Sequence, residues 1–375
     1  MRVYLAAFGT YGDVRPILSI AESLKRRGVD QVLVLANPFF KERITRAGVE
    51  FRPVGERIDP EAMVQNPRLR HPYLGPLRIW SEVFEPQVAL FYEALMAEGV
   101  APDIVVNHPW CFGGMLAAEK LQRPWAGVSL APLTWFSCED PPMASAFEPP
   151  AWLHKWSVAG PLRWMMNSTF GPDLARFARA HGLPKRKSRY FYAMRGASLN
   201  VGLWSKHVRG VAADDPPNSV ICGFPNSYPP ANPAPLAPAL EAFLGAGERP
   251  VVLGLGSVLP SLFPDIYSQV WRACEMLGWR AVLVGAPEGS VPTEHEHLFV
   301  ADWVPYTSLF PRARVIVHHG GIGSMAEASA AGRPQLVLPQ GSDQYDNAWR
   351  VEQLGVGARC LPNRIQAKHL VRLLQ

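Results

Sequence analysis

Residues 315–331 read VIVHHGGIGSMAEASAA, in which a short apolar run meets a glycine-rich turn and then residues with helical spacing. The run Val315–Val317 predicts a buried strand, and the following helix is expected to begin near Ser324. A strand, turn and helix in this order are typical of α/β proteins with a parallel sheet. This stretch therefore predicts part of a parallel sheet covered by helices.

The same turn predicts an anion site. Glycines let the backbone approach a ligand closely, and the first turn of a helix offers unpaired N–H groups and a positive dipole end. His319 can donate a hydrogen bond to a phosphate oxygen, and Glu327, one turn into the helix, is placed to meet a ribose. We therefore expect a diphosphate ligand. The alternative is a tight turn with a core histidine.

The strand and helix pattern recurs in both halves of the chain. In the first half it covers a strand, a turn, a helix and a strand at Val3–Phe8, Gly9–Asp13, Ile17–Arg27 and Val32–Leu35, and then 103–107, 113–120 and 126–129. In the second half it covers 251–255, 266–277, 280–284, 299–301, 315–318, 325–331 and 335–338. Two doubly wound parallel-sheet domains are predicted.

Chain length and a proline-rich stretch indicate where the domains divide. A chain of 375 residues favours two domains of similar size. Eight prolines between Pro216 and Pro238, without helical or strand periodicity, predict an extended linker; the alternative is a long surface loop. We expect an N-terminal domain over 1–228 and a C-terminal domain over 229–375.

Composition excludes several classes of protein. Apolar residues make up 48% and charged residues 18%, as in globular chains, and a net charge of +5 without a basic run does not indicate nucleic acid. The five separated cysteines form no paired motif, so neither disulfides nor a zinc site are expected. The apolar start lacks the features of a signal peptide, and no segment is long enough to span a bilayer. A cytoplasmic protein is expected.

Downstream of the glycine-rich turn the chain reads PQGSDQYDNA over 339–348. Together, the two segments resemble the donor signature of the inverting family 1 glycosyltransferases of the GT-B fold, which runs H-G-G-x-G-S/T, an acid, A-G-x-P and D-Q-x-x-N-A. The resemblance implies two Rossmann-like domains facing a central cleft, with the nucleotide-sugar donor on the second and the acceptor on the first. The start FGTYGDVRP over 8–16 resembles the bacterial rhamnosyl-, sterol and antibiotic glycosyltransferase branches.

The resemblance also implies roles for individual residues. For the donor these positions are Ser257, Trp303, Val304, His319, Gly321, Gly323, Ser324, Glu327, Asp343 and Gln344. His319 and Ser324 would hold the diphosphate, which Ser257 would meet from the other side. Glu327 would bind the ribose, and Asp343 with Gln344 would read sugar hydroxyls. Trp303 would stack on the base beside Val304, although it is alternatively a core residue.

Asp13 is the candidate catalytic base, because an aspartate at this place has that role in the branches named above. Alternatively, it caps the following helix. Plant relatives use a histidine here, oriented by an aspartate after a later strand, where this chain has Asn107. We therefore expect a lone carboxylate, which His108 either assists or merely lies near as a polar lining group. Gly12 is expected beside the acceptor.

Transfer is expected to need no metal and no cofactor, because no D-x-D triplet or His/Asp cluster occurs and the nucleotide sugar is a co-substrate. Sugar transfer with inversion would move a hexose or deoxyhexose from a UDP or dTDP donor. A dehydrogenase is disfavoured because the third glycine of G-x-G-x-x-G is missing after Gly12.

Aromatic residues suggest the acceptor. Seven of the twelve tryptophans lie between Trp80 and Trp164, which suits an apolar surface, although ordinary core packing explains them equally well. A small hydrophobic acceptor is expected, of lipid, sterol or polyketide-like type, with Trp135 in its pocket. Contact with the headgroup layer on the inner membrane face is a further expectation.

Two rival functions remain open for this sequence. One is a catalytically silent helper protein that only binds nucleotide sugars, and the other is a nucleotide-sugar epimerase. Relatives usually continue with a last helix that crosses back to the first domain, whereas this sequence stops at Gln375. Truncation, or a different closure with weak activity, is therefore also expected.

Overall fold

The computed structural model describes residues 1–69, 75–143, 145, 149–225, 234–256 and 259–375. The chain divides into two units. Unit 1 comprises Met1–Pro142 and Pro149–Asn226, and unit 2 comprises Met143–Glu148 and Ser227–Gln375. Each unit contains one parallel sheet.

The sheet of unit 1 has seven strands in the described residues. They are β1 Arg2–Ala6, β2 Gln31–Ala36, β3 Glu50–Pro53, β4 Ile104–Asn107, β5 Trp125–Ser129, β6 Leu199–Gly202 and β7 Ser219–Ile221. Their order is β3-β2-β1-β4-β5-β6-β7, and every pair is parallel. The strands β1 and β2 are apolar along most of their length because both faces of a parallel sheet are covered.

The helices of unit 1 connect these strands. They are α1 Tyr11–Arg26, α2 Lys41–Arg46, α3 Pro60–Gln65, α4 Gly75–Arg78, α5 Glu85–Met96, α6 Phe112–Lys120, α7 Ala151–Ser157, α8 Arg163–Ala180 and α9 Arg189–Arg195. π-helical turns at Ile79–Phe84 and Val158–Leu162 join α4 to α5 and α7 to α8. The pair α5 and α6 packs backbone to backbone at Gly113, where a Cβ would lie 2.1 Å from the Val88 carbonyl oxygen.

Unit 2 has six strands in the described residues. They are β8 Val251–Gly254, β9 Ala281–Val284, β10 Leu298–Ala301, β11 Val315–His318, β12 Gln335–Val337 and β13 Gly357–Arg359, in the order β10-β9-β8-β11-β12-β13. Its helices are α10 Pro238–Gly245, α11 Leu259–Leu262, α12 Pro264–Leu277, α13 Tyr306–Leu309, α14 Ile322–Ala330, α15 Gln344–Gln353 and α16 Ala367–Leu374. Two apolar clusters cover the two faces of this sheet.

The strand order reverses at one place in each sheet. In unit 1 this switch point lies between β1 and β4, with Ala6 opposite Asn107; in unit 2 it lies between β8 and β11, with Gly254 opposite His318. Doubly wound sheets bind ligands at such points, outside the carboxyl ends of the strands. The turns that follow these four strands are therefore where each unit is built to hold a ligand.

The predicted fold class is confirmed, and so are the predicted strands and helices apart from their ends. One prediction was wrong: the stretch between Pro216 and Pro238 contains β7, which pairs with β6. Residues 226–233 of that stretch lie outside the described residues. The helix α14 begins at Ile322, two residues earlier than expected, so Ser324 lies inside its first turn.

None of the described helices combines the length and the apolar character that a bilayer crossing requires.

Candidate functional site

Asp13 lies in the first turn of α1, directly after β1, at the switch point of unit 1. One of its carboxylate oxygens, Oδ2, accepts hydrogen bonds from the backbone N–H of Thr10 at 2.7 Å and from the Thr10 hydroxyl at 3.0 Å. This capping interaction holds the start of the helix. The capping alternative from the sequence is therefore realised, but it uses only one oxygen of the carboxylate.

The second oxygen of Asp13 faces His108, which follows β4. His108 Nε2 lies 3.5 Å from Asp13 Oδ1, and the ring is buried with 1% of its side chain exposed. The backbone N–H of Trp110 points to His108 Nδ1 at 3.4 Å, which assigns the imidazole proton to Nε2, on the Asp13 side. His108 therefore directs an N–H towards the carboxylate.

These neighbours set the ionisation of Asp13. Burial alone would raise its pKa, but the hydrogen bond from His108, the charge of that ring when it is protonated, and the two bonds from Thr10 outweigh burial and lower the pKa below its usual value. Asp13 is thus a carboxylate at neutral pH. Of the two alternatives left open for His108, contact with the carboxylate is the one found, because β1 and β4 are neighbours and bring Asp13 and His108 together.

The close packing of this turn depends on glycine at position 9. Gly9 has φ of +127°, and a Cβ there would lie 2.3 Å from Asp13 Oδ2. A larger residue would therefore push the carboxylate away from Thr10. Sequence reasoning treated Gly9 only as part of a turn.

The two other residues expected near an acceptor, Gly12 and Trp135, differ in solvent exposure. Gly12 is exposed in the first turn of α1, beside Asp13. Trp135 is buried; its indole N–H donates to Ser129 Oγ at 2.9 Å, and its ring packs edge-on against Trp204. Trp135 is therefore packed within unit 1, and its place in an acceptor pocket stays a prediction.

In unit 2 the N-terminus of α14 carries no capping side chain. The helix follows Gly321 as its N-cap, and no acidic residue lies in its first turn. The amides of Ile322, Gly323 and Ser324 have no acceptor within the helix, and a Cβ at Gly323 would meet nothing within 4 Å. Such a helix end binds phosphate and other anions.

His319 lies beside this helix end and is enclosed by glycines. A Cβ at Gly321 would lie 2.4 Å from His319 Nε2, and one at Gly256, after β8, would lie 3.1 Å from its Cε1. Burial, and then the neighbouring His318, lower the pKa of His319 to about 3, so the ring is neutral at pH 7. Its Nδ1 is buried and has no partner among the described residues.

His318 fixes the glycine turn from inside. Its Nδ1 accepts from the Gly320 N–H at 3.1 Å, and its Nε2 bonds to Gln335 Oε1 at 2.9 Å. Gln335 in turn donates to Ser329 Oγ on α14 at 3.1 Å. Burial lowers the pKa of His318 to about 4, which keeps it neutral and able to accept from the turn.

The helix α15 is tied to the same turn. Asn347 Nδ2 donates to the Gly320 carbonyl at 2.8 Å and to Asp343 Oδ2 at 3.0 Å. Gln344 Oε1 accepts from the Gln340 N–H at 2.8 Å. Asn347 therefore positions Asp343 and Gln344 beside the glycine turn, a function that sequence reasoning did not assign to it.

The remaining predicted donor residues have different surroundings. Trp303 is 77% exposed, which excludes the alternative of a core residue, whereas Val304 is buried in the core of unit 2. Glu327 lies half-buried on α14, one turn beyond Ser324. Ser257 lies outside the described residues.

The described part of the chain contains no group of three or more His, Cys, Asp or Glu side chains able to hold a metal ion.

The buried state of His318 predicts a pH dependence of stability. Its stabilising effect is full above the unfolded pKa near 6.5 and is lost as pH falls towards about 4, because the unfolded chain then binds the proton first. Between pH 8 and pH 5 the free energy of unfolding should fall by roughly 2 kcal/mol more in the wild type than in His318→Gln. Denaturant titrations at the two pH values measure this difference.

His207→Gln is the control, since His207 is exposed. It should behave as the wild type. Equal pH dependence in the wild type and His318→Gln would contradict the assignment.

Two sequence profiles match this chain, one in each half. The profile described as "Glycosyltransferase family 28 N-terminal domain" matches residues 3–135. The profile described as "Erythromycin biosynthesis protein CIII-like, C-terminal domain" matches residues 289–374, which include the glycine turn and α15.

Curated relatives match almost the whole chain. The sterol 3-beta-glucosyltransferase UGT80A2 of Arabidopsis thaliana is 27% identical, with 96% of this chain and 58% of that protein covered. The glycosyltransferase GtfE of Amycolatopsis orientalis is 28% identical, with 95% and 85% covered. The O-mycaminosyltylonolide 6-deoxyallosyltransferase of Streptomyces fradiae is 28% identical, with 96% and 86% covered. The chain thus spans a little over half of the plant protein.

Solved structures share the fold. The glycotransferase of kitacinnamycin superposes with a TM-score of 0.75 at 17% identity, covering 100% of this chain and 89% of that one. The spinosyn rhamnosyltransferase SpnG, complexed with thymidine diphosphate, gives 0.67 at 19% identity, covering 100% and 90%. Two profile matches, relatives that align along nearly the whole chain and a shared two-sheet fold agree: the chain is related, in both halves, to the GT-B glycosyltransferases of the family 1 type.

Proposed function

We propose that this enzyme transfers a hexose or deoxyhexose, with inversion, from a UDP or dTDP donor to the hydroxyl of a small hydrophobic acceptor. The observation that carries the proposal is the uncapped N-terminus of α14, which has His319 beside it and glycines on both sides of the ring. Amides at a helix end and a neutral imidazole are suited to a diphosphate whose charge grows as the sugar leaves.

The donor is assigned to unit 2 residue by residue. The amides at Gly323 and Ser324, with His319, hold the diphosphate, and Glu327 accepts hydrogen bonds from the ribose. The exposed indole of Trp303 stacks on the base, while buried Val304 fixes the segment that carries it. Asp343 and Gln344 bind sugar hydroxyls. Ser257 remains a candidate for the second side of the diphosphate.

The acceptor is assigned to unit 1, with Asp13 as the base. As the acceptor oxygen attacks the anomeric carbon, its proton passes to the Asp13 carboxylate and the diphosphate departs from the opposite face. His108 is a positioning residue: its Nε2 N–H holds one carboxylate oxygen while Thr10 holds the other. Gly12 leaves the space beside Asp13 open for the acceptor.

The lowered pKa of Asp13 limits when the proton can move. A weak base cannot ionise an alcohol before attack, but glycosyl transfer has an oxocarbenium-like transition state. The attacking hydroxyl becomes acidic only as the new bond forms. A low-pKa carboxylate is therefore adequate if proton transfer is late.

The acceptor class is proposed from the relatives. Their names specify a sterol, O-mycaminosyltylonolide and vancomycin aglycone, and one solved neighbour, SpnG, is complexed with spinosyn aglycone. We propose a lipid, sterol or polyketide-like alcohol. We further propose that residues 1–228 bind this acceptor, that residues 229–375 bind the donor, and that neither a metal nor a cofactor takes part.

Product analysis tests the reaction. The protein is incubated with UDP- and dTDP-sugars and with a sterol, a polyketide-type phenol, a free sugar and a peptide, each with and without a chelator. We expect nucleotide diphosphate release and an anomerically inverted glycoside only with the hydrophobic alcohols, unaffected by the chelator.

Three results would contradict the proposal. Donor binding without release in the presence of any acceptor would indicate a silent binding protein, and a changed sugar without transfer would indicate an epimerase. Glycosylation of only the free sugar or the peptide would exclude the hydrophobic acceptor.

Asp13→Asn tests the base. Asparagine keeps a carbonyl oxygen for the Thr10 N–H, so α1 should stay capped while kcat falls by about 10²- to 10⁴-fold and donor affinity is unchanged.

His108→Gln tests the positioning residue. In this variant the pKa of Asp13 should rise, so that the acid limb of the kcat/KM profile moves to higher pH. Initial rates across pH and donor titrations measure both effects.

The exposed carboxylate of Glu42 provides the matched control, and Glu42→Gln should retain full activity. A wild-type kcat in Asp13→Asn would refute the role of Asp13.

A further inference from the structure

Three indoles project from one helical segment of unit 1. Trp152 and Trp156 on α7 are 74% and 62% exposed, and Trp164 on α8 is 72% exposed. The next residue, Met165, is 49% exposed. Large apolar side chains rarely cluster on a soluble surface without a partner.

The π-helical turn between α7 and α8 aligns these indoles. Trp152 and Trp156 are four residues apart and share a face. Trp156 and Trp164 are eight residues apart, which in a regular α-helix would separate them by about 80° around the axis. The turn at Val158–Leu162 inserts one extra residue, which reduces that separation to roughly 20°. All three indoles therefore lie along one stripe.

The opposite side of the segment is anchored to unit 1. Val158 is buried, His154 Nε2 bonds to the Pro142 carbonyl at 2.8 Å, and Arg163 donates to the Phe136 carbonyl at 2.6 Å. Arg163 also pairs with Asp214 at 3.2 Å. The indole stripe is thus the outward face of a fixed helix.

The sequence around this stripe is rich in Lys and Arg. Residues 149–213 contain eleven Lys and Arg but a single acid, Asp173. Because the whole chain has a net charge of only +5, the remainder is net negative. Six of these cations pair with carboxylates, so only part of this charge is unpaired; the six are Lys155, Arg163, Arg176, Arg186, Arg189 and Arg209.

Part of that positive charge lies next to the stripe. The loop that contains Lys185 and Lys187 ends at Ser188, whose hydroxyl donates to Asn167 Oδ1 at 2.7 Å, and Asn167 lies one turn beyond Trp164 on α8. Both lysines are exposed, and neither forms an ion pair with any described residue. Their charge is available to a partner.

We propose that the stripe of Trp152, Trp156 and Trp164 docks on the surface of an anionic phospholipid bilayer. Indoles favour the headgroup layer, where an apolar ring and a polar N–H are both accommodated, and lysines at the same surface are attracted by anionic headgroups. Neither feature alone would hold a protein at a membrane, but the two together provide a double anchor.

This inference goes beyond the proposed reaction and does not depend on it. A hydrophobic acceptor dissolved in a bilayer would be reached by an enzyme that lies on that bilayer. Binding to vesicles needs neither donor nor turnover, so failure of one proposal is distinguishable from failure of the other.

Co-sedimentation with vesicles tests the proposal. The wild type should sediment with phosphatidylcholine vesicles that contain phosphatidylglycerol, less at high salt, and only weakly with phosphatidylcholine alone. The triple variant Trp152→Ser, Trp156→Ser, Trp164→Ser should lose at least about tenfold in vesicle affinity. Lys185→Gln with Lys187→Gln should weaken binding severalfold and reduce its dependence on salt.

Trp303→Ser is the matched control, because Trp303 is equally exposed but belongs to unit 2. It should sediment as the wild type does, and circular dichroism should show that every variant is folded.

Several results would overturn the proposal. One is equal sedimentation of the triple variant and the wild type, and another is no sedimentation of the wild type. If the wild type forms a dimer without vesicles and the triple variant does not, the stripe binds a second copy of the chain. If a single-stranded oligonucleotide displaces the protein from vesicles, the stripe binds nucleic acid. A matching loss of kcat/KM with a water-soluble acceptor would assign it to the acceptor pocket.

Discussion

The hydrogen-bonded pairing of β8 with β11 is the constraint on which the donor half of this protein depends. It sets Gly254 opposite His318, so the turns after both strands open at the same edge of the sheet. His319 can then lie between Gly256 and Gly321, close enough that a Cβ on either glycine would crowd its ring. The N-terminus of α14 lies at the same edge with its amides uncapped. The same logic places Asp13 beside His108 through β1 and β4 in unit 1.

The carboxylate of Asp13 has both a structural role, as a helix cap, and a chemical role, as the proposed base. The Thr10 N–H needs an acceptor at the start of α1, and the carboxylate supplies it with one oxygen. His108 holds the other oxygen, and these contacts together lower the pKa despite burial. Precise positioning is therefore gained at the expense of basicity, which is compatible with a reaction in which the proton moves late. Gly9 is part of the same arrangement because only a residue without a side chain fits against the carboxylate.

Local patterns were enough to predict the two parallel sheets and the glycine turn, because strands, turns and helix starts are each determined by residues that are adjacent in the sequence. Contacts that depend on strand order were left open or not predicted. The pairing of Asp13 with His108, which requires β1 next to β4, was one of two alternatives, and the bond from Asn347 to Gly320, which requires α15 beside the turn, was not predicted. Composition also could not separate buried from exposed tryptophans, so buried Trp135 and the exposed stripe on α7 and α8 could not be distinguished in the sequence. The strand β7 was not predicted because prolines surround it and it has no strand periodicity of its own. It is identified only by its pairing with β6.

Nucleotide binding by Gly323→Asp tests the central claim most directly. A side chain fits at Gly323 without contact, and a carboxylate in the first turn of α14 would be favoured by the helix dipole. We expect the variant to be at least as stable as the wild type yet to bind UDP and dTDP at least about tenfold more weakly, since the carboxylate repels the diphosphate and occupies the amides that would bind it. Gly323→Asn, without the charge, should bind more tightly than Gly323→Asp. Unchanged calorimetric affinity in a folded Gly323→Asp protein would show that the diphosphate is not bound at this helix end.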